Sequence, residues 1–116
     1  MKFVSLFIGE HPVGVRVSIT ETTRERMRGL LGRDGLPSDE ALLLQRCWSV
    51  HTFGMRFAID VLFLDSNGRV VGIRHEVPRR RMLLNLRATQ TLELAAGAVH
   101  QHGIALGDQL AFEAPL

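Results

Sequence analysis

The stretch FAIDVLFLDSNGRVVGIRHEV, residues 57–77, predicts a β-hairpin around which the rest of the fold is built. Its first eight residues are apolar at every position except Asp60, which is the pattern of a strand covered on both faces. The sequence DSNG at 65–68 predicts the turn, because Asn and Gly tolerate positive φ angles. Residues 69–77 form the returning strand, which Pro78 ends.

Strands dominate the rest of the sequence, and one main helix is predicted. Residues 22–25, TTRE, match a capping box, so a helix starts there, and Gly32 to Gly35 end it. Alternating or β-branched segments predict further strands at 2–8, 13–19, 41–44, 82–87, 91–94 and 109–113. The expected fold is α+β and β-dominated, a small curled sheet or barrel of about eight short strands with one main helix.

Length and composition indicate a single domain over residues 1–116. The chain is 46% apolar and 22% charged, which is typical of a compact globular protein. It contains no internal repeat, low-complexity tract or linker that would divide it.

The charge pattern argues against a nucleic-acid partner. The formal charge is only +2, and the sequence pI near 9.5 reflects the 13 arginines among the 14 basic residues. Residues 79–81 are the one dense arginine run, and most aromatic residues lie in apolar segments, so no base-stacking platform is visible. An alternative use of this run is to dock an acidic protein partner.

Membrane and compartment signals point to a cytoplasmic protein. No apolar run approaches the roughly twenty residues of a membrane span, so no such span is expected. The apolar residues at 3–8 are too few for the core of a signal peptide. The single cysteine, Cys47, excludes an intramolecular disulfide and suits a reducing cytosol.

Several motifs together carry a family resemblance. They occur in the order MRGLL at 27–31, VHTFGM at 50–55, IDVLFLD at 59–65 with GRVV at 68–71, and LELAAG at 92–97 with GIALGD at 103–108. The chain resembles the bacterial and archaeal family called domain of unknown function 192 over residues 14–113. The resemblance implies a compact β-rich fold with one helix. It implies no activity, since the family is uncharacterised, and many relatives have a lysine where this chain has His51.

Asp60 is the most informative single residue, because an ionised carboxylate inside an apolar strand needs a partner. It accepts backbone N–H groups, for example from residues 50–55, or it binds a ligand, or it acts as a general base with His51. We expect Asp60→Asn to lower the stability of the fold.

The other candidate site residues lie on segments that we expect to converge. The predicted site is a cleft that binds a small polar or anionic ligand, or a partner's peptide, and is lined by Arg28, His51, Thr52, Met55, Asp60 and Glu93. Arg28 would clamp an anionic group or pair with Asp60. Glu93 alternates with Leu92 and Leu94, which predicts a solvent-facing position at the rim.

Two other classes of function stay open at this point. One is a hydrolase or isomerase that uses Asp60 and His51 as an acid–base pair, and the other is an interaction protein with an arginine-rich docking loop. The sequence predicts no cofactor and no metal site, because His100 and His102 lack a third ligand of suitable spacing and no Gly-rich phosphate loop follows a strand. Cys47 is expected to be a small packed residue, and nothing indicates the oligomeric state.

Overall fold

The computed structural model describes residues 2–114, which contain nine strands and two short helices. The elements in chain order are β1 (Lys2–Ile8), β2 (His11–Ile19), α1 (Thr23–Arg28), β3 (Glu40–Gln45), β4 (Ser49–His51), β5 (Ile59–Leu64), β6 (Val70–Val77), β7 (Met82–Leu84), β8 (Gln90–Ala95), α2 (Ala98–Gln101) and β9 (Leu110–Glu113). The predicted α+β, β-dominated class is confirmed. The strand that sequence patterns miss is β4, which has only three residues.

Seven of the strands form one mixed sheet in the order β6-β5-β8-β3-β2-β1-β9, while β4 and β7 form a separate two-stranded sheet. Only β2 and β3 run parallel; every other neighbouring pair is antiparallel. The edge strands β6 and β9 approach at one end through a bridge between Arg69 and Gln109, but they form no ladder, so the sheet is curled and not closed.

Strand β5, which lies between β6 and β8, is buried at all six positions and separates two apolar cores. Because side chains alternate along a strand, Leu62 and Leu64 enter one core while Val61 and Phe63 enter the other. Burying each such side chain is worth about 2 kcal/mol, and the two-faced burial explains why no polar alternation interrupts this strand. The core on the Val61 side lies beneath α1 and the β4–β7 sheet.

The helices are short, and α1 begins as the capping box predicts. The Thr22 hydroxyl accepts the Glu25 N–H at 3.1 Å, and the Glu25 carboxylate accepts the Thr22 N–H at 3.3 Å. The helix ends at Gly29 and not at Gly32 to Gly35, because the φ angle of 50° at Gly29 breaks the helical path one turn earlier. Within residues 2–114 no helix has the length and apolar character needed to cross a membrane.

The β4–β7 sheet covers part of the second core. Val50 of β4 and Leu83 of β7 are paired and buried, whereas their neighbours in both strands are exposed. The predicted strand at 82–87 ends at Leu84, because the chain turns at Asn85, whose carbonyl accepts the Ala88 N–H at 3.0 Å. The β4–β7 sheet therefore packs on the second core through an apolar inner face.

Candidate functional site

Asp60 is buried and partnered, as expected, but its donors differ from those predicted. It has no exposed surface; Oδ1 accepts the Glu76 N–H at 2.8 Å and Oδ2 accepts the Val99 N–H at 2.9 Å. These donors belong to β6 and α2, so the suggestion that residues 50–55 supply them is wrong. A carboxylate with both oxygens satisfied is stable in an apolar strand.

The two bonds of Asp60 stabilise irregular backbone on both sides of β5. The register of β5 with β6 shifts between Ile59 and Val61, and Glu76 adopts a φ angle of 47° beside this bulge. Val99 lies in the first turn of α2, whose N-cap, Gly97, has no side chain to accept a helical N–H. Asp60 thus supplies a cap that the helix lacks, which is a structural role.

The proposed acid–base pair of Asp60 and His51 is not assembled. Asp60 alternates with Val61, and Val61 packs on the core beneath the β4–β7 sheet, so Asp60 projects from the opposite face of β5. His51 is exposed on β4. The structure therefore separates Asp60 from the other candidate residues, because a one-residue step along a strand reverses the face.

Thr52 has a structural role as well. Its side chain is fully buried, and its hydroxyl donates to the Pro78 carbonyl at 2.7 Å and accepts the Arg81 N–H at 2.8 Å. These bonds hold both ends of the arginine run at 79–81 against the end of β4. The hydroxyl has its one donor hydrogen engaged and is fully buried, so it is not exposed to a ligand.

Replacing Thr52 with valine should lower the free energy of unfolding by about 2 kcal/mol, because the Arg81 N–H and the Pro78 carbonyl each lose their hydrogen bond to the buried Thr52 hydroxyl. Urea titration measures this loss. Thr89→Val is the matched control, since Thr89 is exposed and no side-chain hydrogen bond is described for it. Equal effects of the two substitutions would contradict the role assigned to Thr52.

The remaining four candidates, Arg28, His51, Met55 and Glu93, line one cavity between α1 and β4 with a volume of about 270 Å³. Its walls are mainly apolar. The other lining residues are Arg26, Met27, Gly29, Leu30, Leu31, Leu44, Cys47, Ser49 and Val50. Of the six residues predicted to share a cleft, these four line one cavity, and Thr52 and Asp60 do not.

Glu93 lies at the base of this cavity, and the predicted solvent-facing position is wrong. Its exposed fraction is 3%. The reason is that β8 lies between β3 and β5, where Glu93 pairs with Leu42 and Val61, and the chain around Gly29 covers it. A Cβ atom at Gly29 would lie 3.8 Å from Glu93 Oε1, so the carboxylate sits directly beneath that glycine.

No hydrogen bond or ion pair described for residues 2–114 involves the Glu93 carboxylate. Since no fully enclosed side-chain oxygen of these residues lacks a partner, the carboxylate oxygens keep access to the cavity. Burial raises its pKa from 4.5 to about 7, because the charged form loses its hydration. Near neutral pH the group can therefore accept a hydrogen bond as a carboxylate or donate one as an acid. This unpartnered, buried titratable group is the chemical centre of the cavity.

Cys47 and Ser49 add polar atoms to the same wall. The Cys47 thiol is half-buried and donates to the Ser49 carbonyl at 3.0 Å, and burial raises its pKa above the usual 9.0. The sequence interpretation of Cys47 as a packed residue missed its place in the cavity. The signal available was the two-residue spacing of Cys47, Ser49 and His51 along extended chain.

Within the described part of the chain, no group of three or more His, Cys, Asp or Glu side chains could hold a metal ion. His102 instead makes a 2.8 Å hydrogen bond between Nε2 and the Ser38 carbonyl. The cavity therefore presents one buried acid, apolar walls and arginines, a set suited to an organic ligand.

Comparison with known proteins extends the likeness in sequence to nearly the whole chain. The family model of DUF192, Uncharacterized ACR, matches residues 4–112. A UPF0127 protein of Thermococcus sibiricus is 31% identical over 106 residues, which cover 84% of this chain and 66% of that protein. The chain thus spans just under two thirds of the length of this curated relative.

Two crystal structures have the same fold, each with a TM-score of 0.81. One is a protein of unknown function from Novosphingobium aromaticivorans, 20% identical, with 94% of this chain and 83% of that chain covered. The other, named as a proposed transcription regulator from Sinorhizobium meliloti, is 22% identical, with 95% and 92% covered. These identities show the fold alone, whereas the family model shows membership: the chain belongs to the uncharacterised DUF192 family.

Proposed function

We propose that this protein is a cytoplasmic binding protein for a small amine with an apolar body, held in the cavity above Glu93. The observation that carries the proposal is the Glu93 carboxylate, 3% exposed and without a partner among the described residues. The lone free thiol of Cys47 supports the cytoplasmic location.

An amine is the ligand group that best complements Glu93. Burial of a carboxylate without a partner costs several kcal/mol, and an ammonium group supplies both the opposite charge and hydrogen-bond donors. The aliphatic walls formed by Leu30, Leu44 and Val50 would pack against the body of the ligand. At about 270 Å³ the cavity lies just below the roughly 300–1,000 Å³ of pockets for drug-sized molecules, so the ligand is small.

Arg26 and Arg28 extend the proposal to a ligand that also carries a carboxylate. Both line the cavity through the last turn of α1, and Arg28 is exposed. Guanidinium groups bind carboxylates through paired hydrogen bonds. A zwitterion such as an apolar amino acid would place its ammonium group on Glu93 and its carboxylate near these arginines.

Three compounds of similar shape test this assignment: isoamylamine, which has only the amine, L-leucine, which has both groups, and isocaproate, which has only the acid. Thermal unfolding and the rate at which iodoacetamide alkylates Cys47 report occupancy, because Cys47 lines the cavity. We expect the two amines to raise the melting temperature and slow alkylation, with L-leucine the stronger. Isocaproate should do neither.

Amine binding should strengthen as pH rises from 6 to 8, because Glu93 must be ionised and its pKa is about 7. The ionised fraction grows by about tenfold over this range, while an alkylamine stays protonated, so the affinity should rise by about tenfold. Isothermal titration calorimetry with isoamylamine measures the change.

Glu93→Gln is the decisive variant, and Glu113→Gln, at an exposed position, is its matched control. The Glu93 variant should lose amine binding and its pH dependence, while the control should keep both. Failure of both amines to bind the native protein, or equal binding by the Glu93 variant, would overturn the proposal.

A further inference from the structure

Exposed apolar side chains concentrate around the β4–β7 sheet, away from the base of the cavity. Eight large apolar side chains of residues 2–114 are about half exposed or more, and five of them lie in or beside this sheet. We call these five, Trp48, Phe53, Met82, Leu84 and Leu86, the β4–β7 patch. Single exposed apolar residues are ordinary, but a contiguous group on a small protein marks an interaction surface.

The strand register places two residues of the patch, Met82 and Leu84, on one face of the sheet. Ser49 lies opposite Leu84 and His51 lies opposite Met82, and all four are exposed, whereas the intervening Val50 and Leu83 are buried. The Phe53 ring lies 6.1 Å from the His51 ring. Met82 is 69% exposed. Met82 and Leu84 are thus open to solvent, whereas Ser49 and His51 also border the Glu93 cavity.

Both edges of the β4–β7 sheet also have open backbone groups. The Asn85 N–H donates to the Trp48 carbonyl, and the Thr52 N–H donates to the Arg81 carbonyl. Hydrogen-bonded pairs alternate with non-bonded pairs along an antiparallel ladder, so the pair between His51 and Met82, next to Thr52 and Arg81, is a non-bonded one. The alternate residues, His51 in β4 and Met82 in β7, consequently direct their N–H and C=O groups outward. No described residue accepts these two N–H groups. Such edges are templates for an added strand.

The two chain segments that carry the patch have charged residues of one sign only. Residues 46–56 and 78–89 contain six arginines and no aspartate or glutamate. Arg56 pairs with Asp34 at 2.6 Å, and the other five form no ion pair with a described residue. This set includes the run at 79–81, which the Thr52 hydroxyl holds beside the end of β4. The arginines at 79–81 do not line the Glu93 cavity, so the ligand proposed there does not involve them.

We propose that the β4–β7 sheet binds an extended, acidic segment of another protein, which adds a strand to the open edge of β7. Main-chain hydrogen bonds would complete the ladder, apolar side chains would cover the β4–β7 patch, and acidic side chains would meet the surrounding arginines. No residue of β7 lines the Glu93 cavity, so this inference is independent of the amine proposed for that cavity.

Two other occupants fit less well. In a second copy of this chain, the same arginines would face one another across a symmetric interface and repel. A membrane surface matches the arginines and the apolar side chains, but open backbone N–H and C=O groups cannot enter hydrocarbon without partners. A polypeptide strand satisfies the charge, the apolar area and the backbone together.

Trp48 is the only tryptophan and belongs to the patch, so its fluorescence reports binding directly. The probe is a blocked seven-residue peptide of alternating glutamate and valine. Two controls are the same peptide with lysine for glutamate, and the same peptide N-methylated at alternate residues along its pairing edge. We expect binding to the acidic peptide, with affinity at least about tenfold weaker for each control, and a further decrease at high salt.

Matched variants locate the site. Leu84→Ser removes an exposed apolar residue of the patch, and Leu106→Ser removes one outside it. Arg87→Glu reverses an arginine near the patch, and Arg74→Glu reverses an exposed one on β6. Only the first member of each pair should weaken peptide binding, and all four should leave amine binding at Glu93 unchanged.

Four outcomes would overturn the inference. The first is that the acidic peptide does not bind at millimolar concentration, and the second is that the lysine peptide or the N-methylated peptide binds equally well. The third is that the Trp48 fluorescence shifts only with phosphatidylserine vesicles. The fourth is that the protein sediments as a dimer, that Leu84→Ser dissociates this dimer, and that no peptide binds. Binding that follows the expected order of peptides and variants supports it.

Discussion

Replacing Asp60 with asparagine will lower the free energy of unfolding by about 3 kcal/mol, one of the two largest effects expected in this protein. Each carboxylate oxygen now accepts one backbone N–H, from Glu76 and from Val99. Asparagine keeps one acceptor and turns its amide group toward the other N–H, so a buried donor meets a donor. The bulge of β6 and the start of α2 cannot both stay bonded.

Urea unfolding measures this loss, and hydrogen exchange identifies its place. The amides of Glu76 and Val99 should exchange faster in the Asp60→Asn variant, and the melting temperature should fall by roughly 10 °C or more. Asp39→Asn, at an exposed position in a loop, is the control and should change little. An unchanged unfolding midpoint would show that the two hydrogen bonds contribute nothing to stability.

Glu93→Gln should have the opposite effect above neutral pH, raising the free energy of unfolding by about 3 kcal/mol at pH 8. The pKa of Glu93 rises from 4.5 in the unfolded chain to about 7 in the folded protein. Between these values the folded state binds more protons than the unfolded state, so stability falls as pH increases through this window. Below about pH 4.5 Glu93 is protonated in both the folded and the unfolded state, so its burial does not lower the free energy of unfolding. Above pH 7 this loss of stability is complete.

Urea titrations of the native protein and the Glu93→Gln variant at pH 5 and pH 8 test this sign. The increase in the free energy of unfolding caused by Glu93→Gln should be small at pH 5 and large at pH 8. The control Glu113→Gln should show no such difference between the two pH values. A variant less stable than the native protein at pH 8 would mean that the Glu93 carboxylate has a partner in the folded state.

The two substitutions change the free energy of unfolding in opposite directions, which distinguishes the roles of the two buried acids. Asp60 stabilises the fold through two satisfied hydrogen bonds, whereas Glu93 destabilises it and lies at a cavity. A group whose burial costs stability and whose environment supplies no partner is typical of a binding or catalytic site, where function offsets the cost. This contrast supports Glu93, and not Asp60, as the centre of ligand binding.

Much of the local structure is predictable from residues alone. The apolar run at 57–64, the DSNG turn and the TTRE capping box predict strand, turn and helix start, because they depend on the side-chain pattern and on short-range hydrogen bonds. The burial and pairing of Asp60 follow from the cost of an isolated charge. The three-residue β4 and the exact end of α1 do not follow, because long-range pairing and one φ angle decide them.

The sequence by itself determined a β-dominated fold with one capped helix, a strand covered on both faces and a buried, partnered Asp60. Only the tertiary structure decided which acid faces the cavity. Alternation along β8 places Glu93 opposite Leu92 and Leu94, but whether that side meets water depends on the coverage by Gly29 and β4, which lie far away in the chain. Local patterns fix which side chains share a face, while the packing of distant segments fixes what each face meets.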